Sequence, residues 1–125
     1  MVNRHRGEIE AVLDGRPRVL CLTLGALAEL EAAFAVDDLA GLAERFATGR
    51  LSATDLTKVI GAGLRGAGET VSDADVAKMT ADGSATGFAR IAADLLKATF
   101  GTREVREGEG ASEGSPGKNP PPPRP

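Results

Sequence analysis

The sequence predicts an α+β domain: an N-terminal β-hairpin packed on four or five short α-helices, followed by a disordered C-terminal tail. Three observations carry this reading. Residues 7–15 alternate apolar and polar with a period of two. Near Thr23 the period lengthens to that of a helix and stays helical to Phe100. After Gly101 the apolar side chains almost vanish. Each element has one apolar stripe and none reads as apolar all round, so the simplest solution is one layered domain over residues 1–101, with 102–125 as tail.

The elements follow in order. Gly7 to Gly15 places Ile9, Ala11 and Leu13 on one side and Glu8, Glu10, Val12 and Asp14 on the other, a half-buried strand. Asp14-Gly15 is a hairpin dipeptide, because Gly accepts positive φ without steric cost. Pro17 follows closely, so the expected loop exceeds two residues and the second strand runs over 18–23. Thr23 is placed to cap a helix whose stripe is Leu24, Leu27, Leu30 and Phe34. A second helix starts at Asp37-Asp38, carries Leu39, Leu42, Ala43 and Phe46, and stops at Gly49. Ser52-Ala53-Thr54-Asp55 has the form of a capping box, opening a helix with Leu56, Val59, Ile60 and Leu64 that ends at Gly66 and Gly68. Ser72-Asp73-Ala74-Asp75 repeats that pattern before a short helix through Val76 and Met79. Asp82-Gly83-Ser84 breaks it. The last helix has the clearest stripe: Phe88, Ile91, Ala92, Leu95, Leu96 and Phe100. The closing run Pro120-Pro121-Pro122-Pro123 favours polyproline II and reads as a spacer rather than as an SH3-type ligand.

Composition limits the function. The 125 residues suffice for one domain, and 42% apolar residues supply a core that must be aliphatic, with four Phe and no Trp or Tyr. A net charge of −3 argues against a duplex-binding module, so no nucleic-acid partner is expected. No apolar run approaches the ~20 residues of a membrane-spanning helix, and no secretory leader is evident, so a cytoplasmic, membrane-free protein is expected. Cys21 stands alone in an apolar strand and reads as a small buried hydrophobe.

The motifs that resemble chemistry have plainer readings. Gly61-Ala62-Gly63-Leu64-Arg65-Gly66 fits the letters of a dinucleotide fingerprint. That mechanism needs a strand before it and a helix after it, and here a helix precedes it. Close packing of small residues explains it instead. His5 has no nucleophile or co-ligand in a usable arrangement. Asp37, Asp38, Asp73 and Asp75 sit at helix starts, where capping and the helix dipole account for them. Neither catalytic residues nor a metal site nor a cofactor is expected, and the chain reads as no enzyme.

One combination carries a resemblance. Asn3-Arg4-His5-Arg6-Gly7-Glu8, Leu22-Thr23-Leu24-Gly25-Ala26-Leu27-Ala28-Glu29-Leu30-Glu31, Leu51-Ser52-Ala53-Thr54-Asp55 and the Gly61–Gly66 segment together resemble the small tail protein of alphaproteobacterial gene transfer agents. Val71-Ser72-Asp73 agrees. That family is classed with phage tail assembly chaperones and is also labelled a tail tube protein. The resemblance spans about Asn3 to Phe100. It implies a non-enzymatic assembly factor in the cytoplasm of the producing cell, with the tape-measure protein and the major tail tube protein as partners; separately, an exposed apolar patch would promote self-association into a homo-oligomer. The alternative it implies is a structural part of the mature tail tube or tail end. A chaperone of a helical client needs a partly exposed apolar groove. The last helix, through Phe88, Ile91, Leu95, Leu96 and Phe100, is the candidate wall of such a groove.

Overall fold

The computed structural model describes residues 7–101. His5, the Asn3–Arg6 part of the resemblance and the expected disordered tail lie outside the described residues. Strands β1 (Glu8–Leu13) and β2 (Arg16–Cys21) form an antiparallel hairpin, followed by α1 (Leu24–Phe34), α2 (Leu39–Ala47), α3 (Ala53–Gly66), α4 (Asp73–Ala77) and α5 (Ser84–Leu96). A π-helical turn, Lys97–Gly101, extends α5.

The hairpin differs from expectation in its loop. Leu13 pairs with Arg16 and Val12 with Pro17, so the turn is Asp14-Gly15 alone and β2 starts two residues earlier than expected. Both turn residues take positive φ, 55° and 75°, the geometry that matches the twist of a two-residue hairpin. Pro17 is tolerated because of its register. The pair flanking such a turn is hydrogen-bonded, so Val12–Pro17 is the next, non-bonded pair, and the missing N–H faces outward. Asp14 then ties the turn to the loop before α5. Its N–H donates to the Thr80 carbonyl (2.9 Å), and Oδ1 accepts from the Thr80 N–H (2.8 Å).

Four of the five helix starts were legible, while α5 begins at Ser84, within the expected break and without a side-chain cap. The Thr23 hydroxyl accepts from the Ala26 N–H at 3.2 Å, and Asp38 caps α2 through the Gly41 N–H at 2.8 Å. Ser52/Asp55 and Ser72/Asp75 are complete capping boxes. Two helix lengths were not. α4 is a single turn ending at Ala77, with Met79 beyond it, and α5 is α-helical only to Leu96, which places Phe100 in the π turn.

The stripe of α1 is also corrected. Ala26, Leu27 and Leu30 are its buried residues, while Leu24 is 79% exposed. Apolar residues spaced by three drift around a 3.6-residue helix, leaving Leu24 about 120° from Leu30.

The largest departure is α3. Its run Val59–Leu64 is buried on every side, so one helix is enclosed all round although none was expected to be. It packs against β2, α1, α4 and α5 and is the axis of the domain. Around it close Ile9, Leu13 and Leu20 of the hairpin, Leu27 and Leu30 of α1, Val76 of α4, and Ala92 and Leu95 of α5. Its glycines permit this. A Cβ on Gly63 would lie 2.6 Å from Leu95 Cδ2 and 3.2 Å from Leu20 Cβ, and one on Gly66 would collide with the Cys21 carbonyl oxygen. The letters of the dinucleotide fingerprint are therefore the contact surface of a central helix.

Candidate functional site

Among the described residues, the ion pairs that join segments are built around arginines. Arg65, near the end of α3, reaches the Glu29 carboxylate of α1 with Nη2 at 2.7 Å and Nε at 3.2 Å. Its Nη1 donates to the Val71 carbonyl at 3.0 Å, and Nη2 lies 3.1 Å from Asp73 Oδ1, a buried oxygen that has this ion pair and no hydrogen bond. The Glu29 contact raises the Arg65 pKa; burial opposes it, and Asp73 adds to the rise. Arg18 of β2 pairs with Glu69 at 2.7 Å, with 8% of its side chain exposed. Arg45 of α2 bonds Asp55 at 2.9 Å and the Arg50 carbonyl at 3.2 Å, with its guanidinium 5.3 Å from the centre of the Phe34 ring. Every one of these cations is engaged with structural partners. None converges with a nucleophile or a second base in a cleft.

Three of the segments that carry the family resemblance thus meet at one side chain. Glu29 belongs to the first, Arg65 to the glycine-rich helix end, and Val71 and Asp73 to the third. Their shared role is to lock α1, α3 and the start of α4 together. Asp73 serves this contact, whereas Asp75 makes the cap.

The candidate wall on α5 is divided among several surfaces. Leu95 is fully buried and packs into the space beside Gly63, so it is a core residue and not part of an open wall. Ile91 faces β1 in a cleft shared with Ala11, Val12, Arg90 and Asp94. Phe88 closes an apolar crevice with Leu56, Ile60, Val76 and Ala85. Leu96 and Phe100 are brought together, partly buried, in a groove of about 540 Å³.

That groove lies between α2 and the C-terminal half of α5. Its floor and sides are Ala43, Phe46, Ala47, Leu51, Ala89, Ala93, Leu96 and Phe100, and Lys97 is the one charged side chain lining it. It stays open because α2 packs on α1, where Phe34 and Phe46 stack edge to face at 5.2 Å between ring centres. Alanines at 43, 47, 89 and 93 keep both facing helix surfaces low. Sequence reasoning assigned Ala43 and Phe46 to the buried stripe of α2 and overlooked Ala47, Ala89 and Ala93. The four-residue spacing of the alanines on two helices was the available signal, and nothing in the sequence says that the two helices face each other.

Among the described residues, no group of His, Cys, Asp and Glu side chains could hold a metal ion. No helix of the described residues is long and apolar enough to cross a membrane. Comparison with curated proteins and with solved structures gave no match. A family model described as "Phage tail tube protein, GTA-gp10" matches residues 6–102, which takes in every element above, the Arg65 junction and the α2–α5 groove. With the match spanning the whole folded unit, the chain belongs to that phage and gene-transfer-agent tail family.

Proposed function

We propose that this chain is a non-enzymatic assembly factor for a phage-like tail of the gene-transfer-agent type. In this reading it holds an apolar stripe of the helical tape-measure protein until tail tube subunits take its place. The observation that carries it is the α2–α5 groove, with eight apolar side chains and one charge at its lining. A helix satisfies its own backbone groups and needs only an apolar surface, so such a groove suits a helical client. Leu96 and Phe100 form the wall, Ile91 and Phe88 extend the surface on either side of α5, and Leu95 supports it from within. The domain over residues 1–101 acts in the cytoplasm of the producing cell.

A second reading, a structural component of the tail tube, is favoured by the description of the family itself. Mass spectrometry of purified particles separates the two. An assembly factor is absent or far below the tube protein in amount, whereas stoichiometric presence rejects the first reading. Co-expression adds a test of the client. The tape-measure protein should become more soluble with this chain, and Leu96→Asp should abolish that gain while leaving the helical circular-dichroism signal in place. Unchanged solubility with and without the wild-type chain removes the support for tape-measure binding.

A further inference from the structure

Among the described residues, the hairpin leaves one backbone edge without a neighbour. Glu8, Glu10 and Val12 oppose Cys21, Val19 and Pro17 in the non-bonded pairs of the register, so the backbone polar groups of these residues point away from the partner strand. The outer edge of β2 is blocked. Pro17 has no N–H to donate, and Gly66 of α3 sits so close to the Cys21 carbonyl oxygen that a Cβ there would collide with it. The outer edge of β1 is engaged at the turn, where the Asp14 N–H donates to the Thr80 carbonyl. At Glu10 and Val12 the outward N–H and C=O groups have no partner among the described residues, and both residues are exposed.

A cleft runs along this open edge. Gly87, Arg90, Ile91 and Asp94, one face of α5 at helical spacing, form its other side. Buried Gly87 and half-buried Ile91 give it a low apolar floor, and Glu10, Asp82, Arg90 and Asp94 line it as exposed charges. None of these four forms an ion pair among the described residues. We propose that the β1 edge receives an extended, basic segment of a second protein as a third strand, laid in the cleft between β1 and α5. Added strands are held by backbone hydrogen bonds and selected by their alternate side chains. Here the inward positions meet Ile91 and Gly87 and must be apolar. The outward positions lie beside Glu10 and Val12 and suit Lys or Arg. Three carboxylates against one guanidinium make the cleft acidic. The same charges disfavour a second copy of this chain. Antiparallel pairing of two β1 edges sets Glu10 against Glu10, or Glu8 or Glu10 against Asp14, and like charges placed opposite each other destabilise a sheet. The cleft takes a strand where the α2–α5 groove takes a helix, so this site does not rest on the assembly-factor reading.

The test titrates the full-length, isotope-labelled chain with a capped Lys-Val-Lys-Val-Lys peptide and follows amide NMR signals and hydrogen exchange. Exchange at the Glu10 and Val12 amides should slow severalfold, and Ala43 and Ala93 in the α2–α5 groove should not shift. Shifts at the cleft without slower exchange at Glu10 and Val12 would mean contact by charge alone and overturn strand addition. N-methylation separates the two edges of the peptide. Methylating either all its Lys or all its Val residues should abolish the protection, and methylating the other set should spare it; equal effects reject backbone pairing. A Glu-Val-Glu-Val-Glu peptide should bind severalfold more weakly, and Glu10→Lys should narrow or reverse that preference while keeping the circular-dichroism spectrum. Equal binding of both peptides to the wild type overturns the choice of a basic partner. Protection of Glu10 and Val12 without peptide overturns the open edge: a second copy occupies it if the protection fades on dilution, and the chain itself if it persists.

Discussion

Arg65 shows how much one side chain carries. It joins α1, α3 and the start of α4, and Asp73 Oδ1 has no partner besides it. Arg65→Gln should therefore lower the unfolding free energy by about 1–3 kcal/mol, the cost of leaving a buried acceptor unpaired, as read from urea denaturation. Two substitutions between glycine and alanine should have opposite signs. Gly66→Ala would ordinarily favour a helix by up to about 1 kcal/mol. Here the new methyl meets the Cys21 carbonyl, and overpacking against backbone should cost about 1–3 kcal/mol instead. Ala35, which ends α1, holds φ 55° and ψ 45°, the left-handed region. Ala35→Gly relieves that conformation and should raise stability by about 1 kcal/mol. Thermal melts of the two variants should move in opposite directions.

At the scale of elements, local chemistry marks where helices begin. Ser52 accepts from the Asp55 N–H at 3.1 Å while Asp55 accepts from the Ser52 N–H at 3.0 Å, and Ser72 with Asp75 repeats this at 3.1 and 2.9 Å. Ser52→Ala should cost about 1 kcal/mol. The same boxes set a pH dependence. Burial raises the Asp55 pKa, but the Ser52 N–H and the Arg45 guanidinium outweigh it and leave the value lowered. The Asp75 pKa is lowered by the Ser72 N–H and hydroxyl. A lowered folded-state pKa means that the unfolded chain binds the proton first, so stability rises with pH. These contributions are complete above the ordinary carboxylate pKa of about 3.9 and fade as pH falls through the folded values. The thermal midpoint should hold near neutrality and drop below about pH 4. Asp55→Asn should lower the neutral-pH midpoint and flatten that drop.

For the whole molecule, the question is which surface does the work. The fold buries the middle of α3 on every side and leaves a wide apolar groove between α2 and α5. Among the described residues, the segments that carry the resemblance give Leu27, Leu30, Ala62 and Leu64 to the interior and Glu29, Arg65, Val71 and Asp73 to the Arg65 junction. We expect residues 1–101 to fold without the remainder. Deleting 102–125 should leave the helical circular-dichroism signal unchanged and move the unfolding free energy by less than about 1 kcal/mol, a small share of the 5–15 kcal/mol that holds such domains. A collapse of the signal would show that the tail is part of the core.

The sequence by itself determined the order of elements and the starts of the first four helices, because caps, turn dipeptides and periodicity act over four or five neighbouring residues; the start of α5 at Ser84, which has no side-chain cap, was not among them. Thr23, Asp38, Ser52, Ser72 and Asp14-Gly15 all do in the structure what their local chemistry predicts. Pro17 misled because its tolerance depends on cross-strand register, which the run of letters does not record. Leu24, Leu95 and the enclosed run Val59–Leu64 were likewise decided only by the tertiary structure. Periodicity says that a helix has an apolar face, but what covers that face depends on which elements arrive from elsewhere in the chain. The groove arises in the same way. Ala43, Ala47, Ala89 and Ala93 are small wherever they stand, and they open a groove only because the packing of α2 on α1 holds one pair opposite the other.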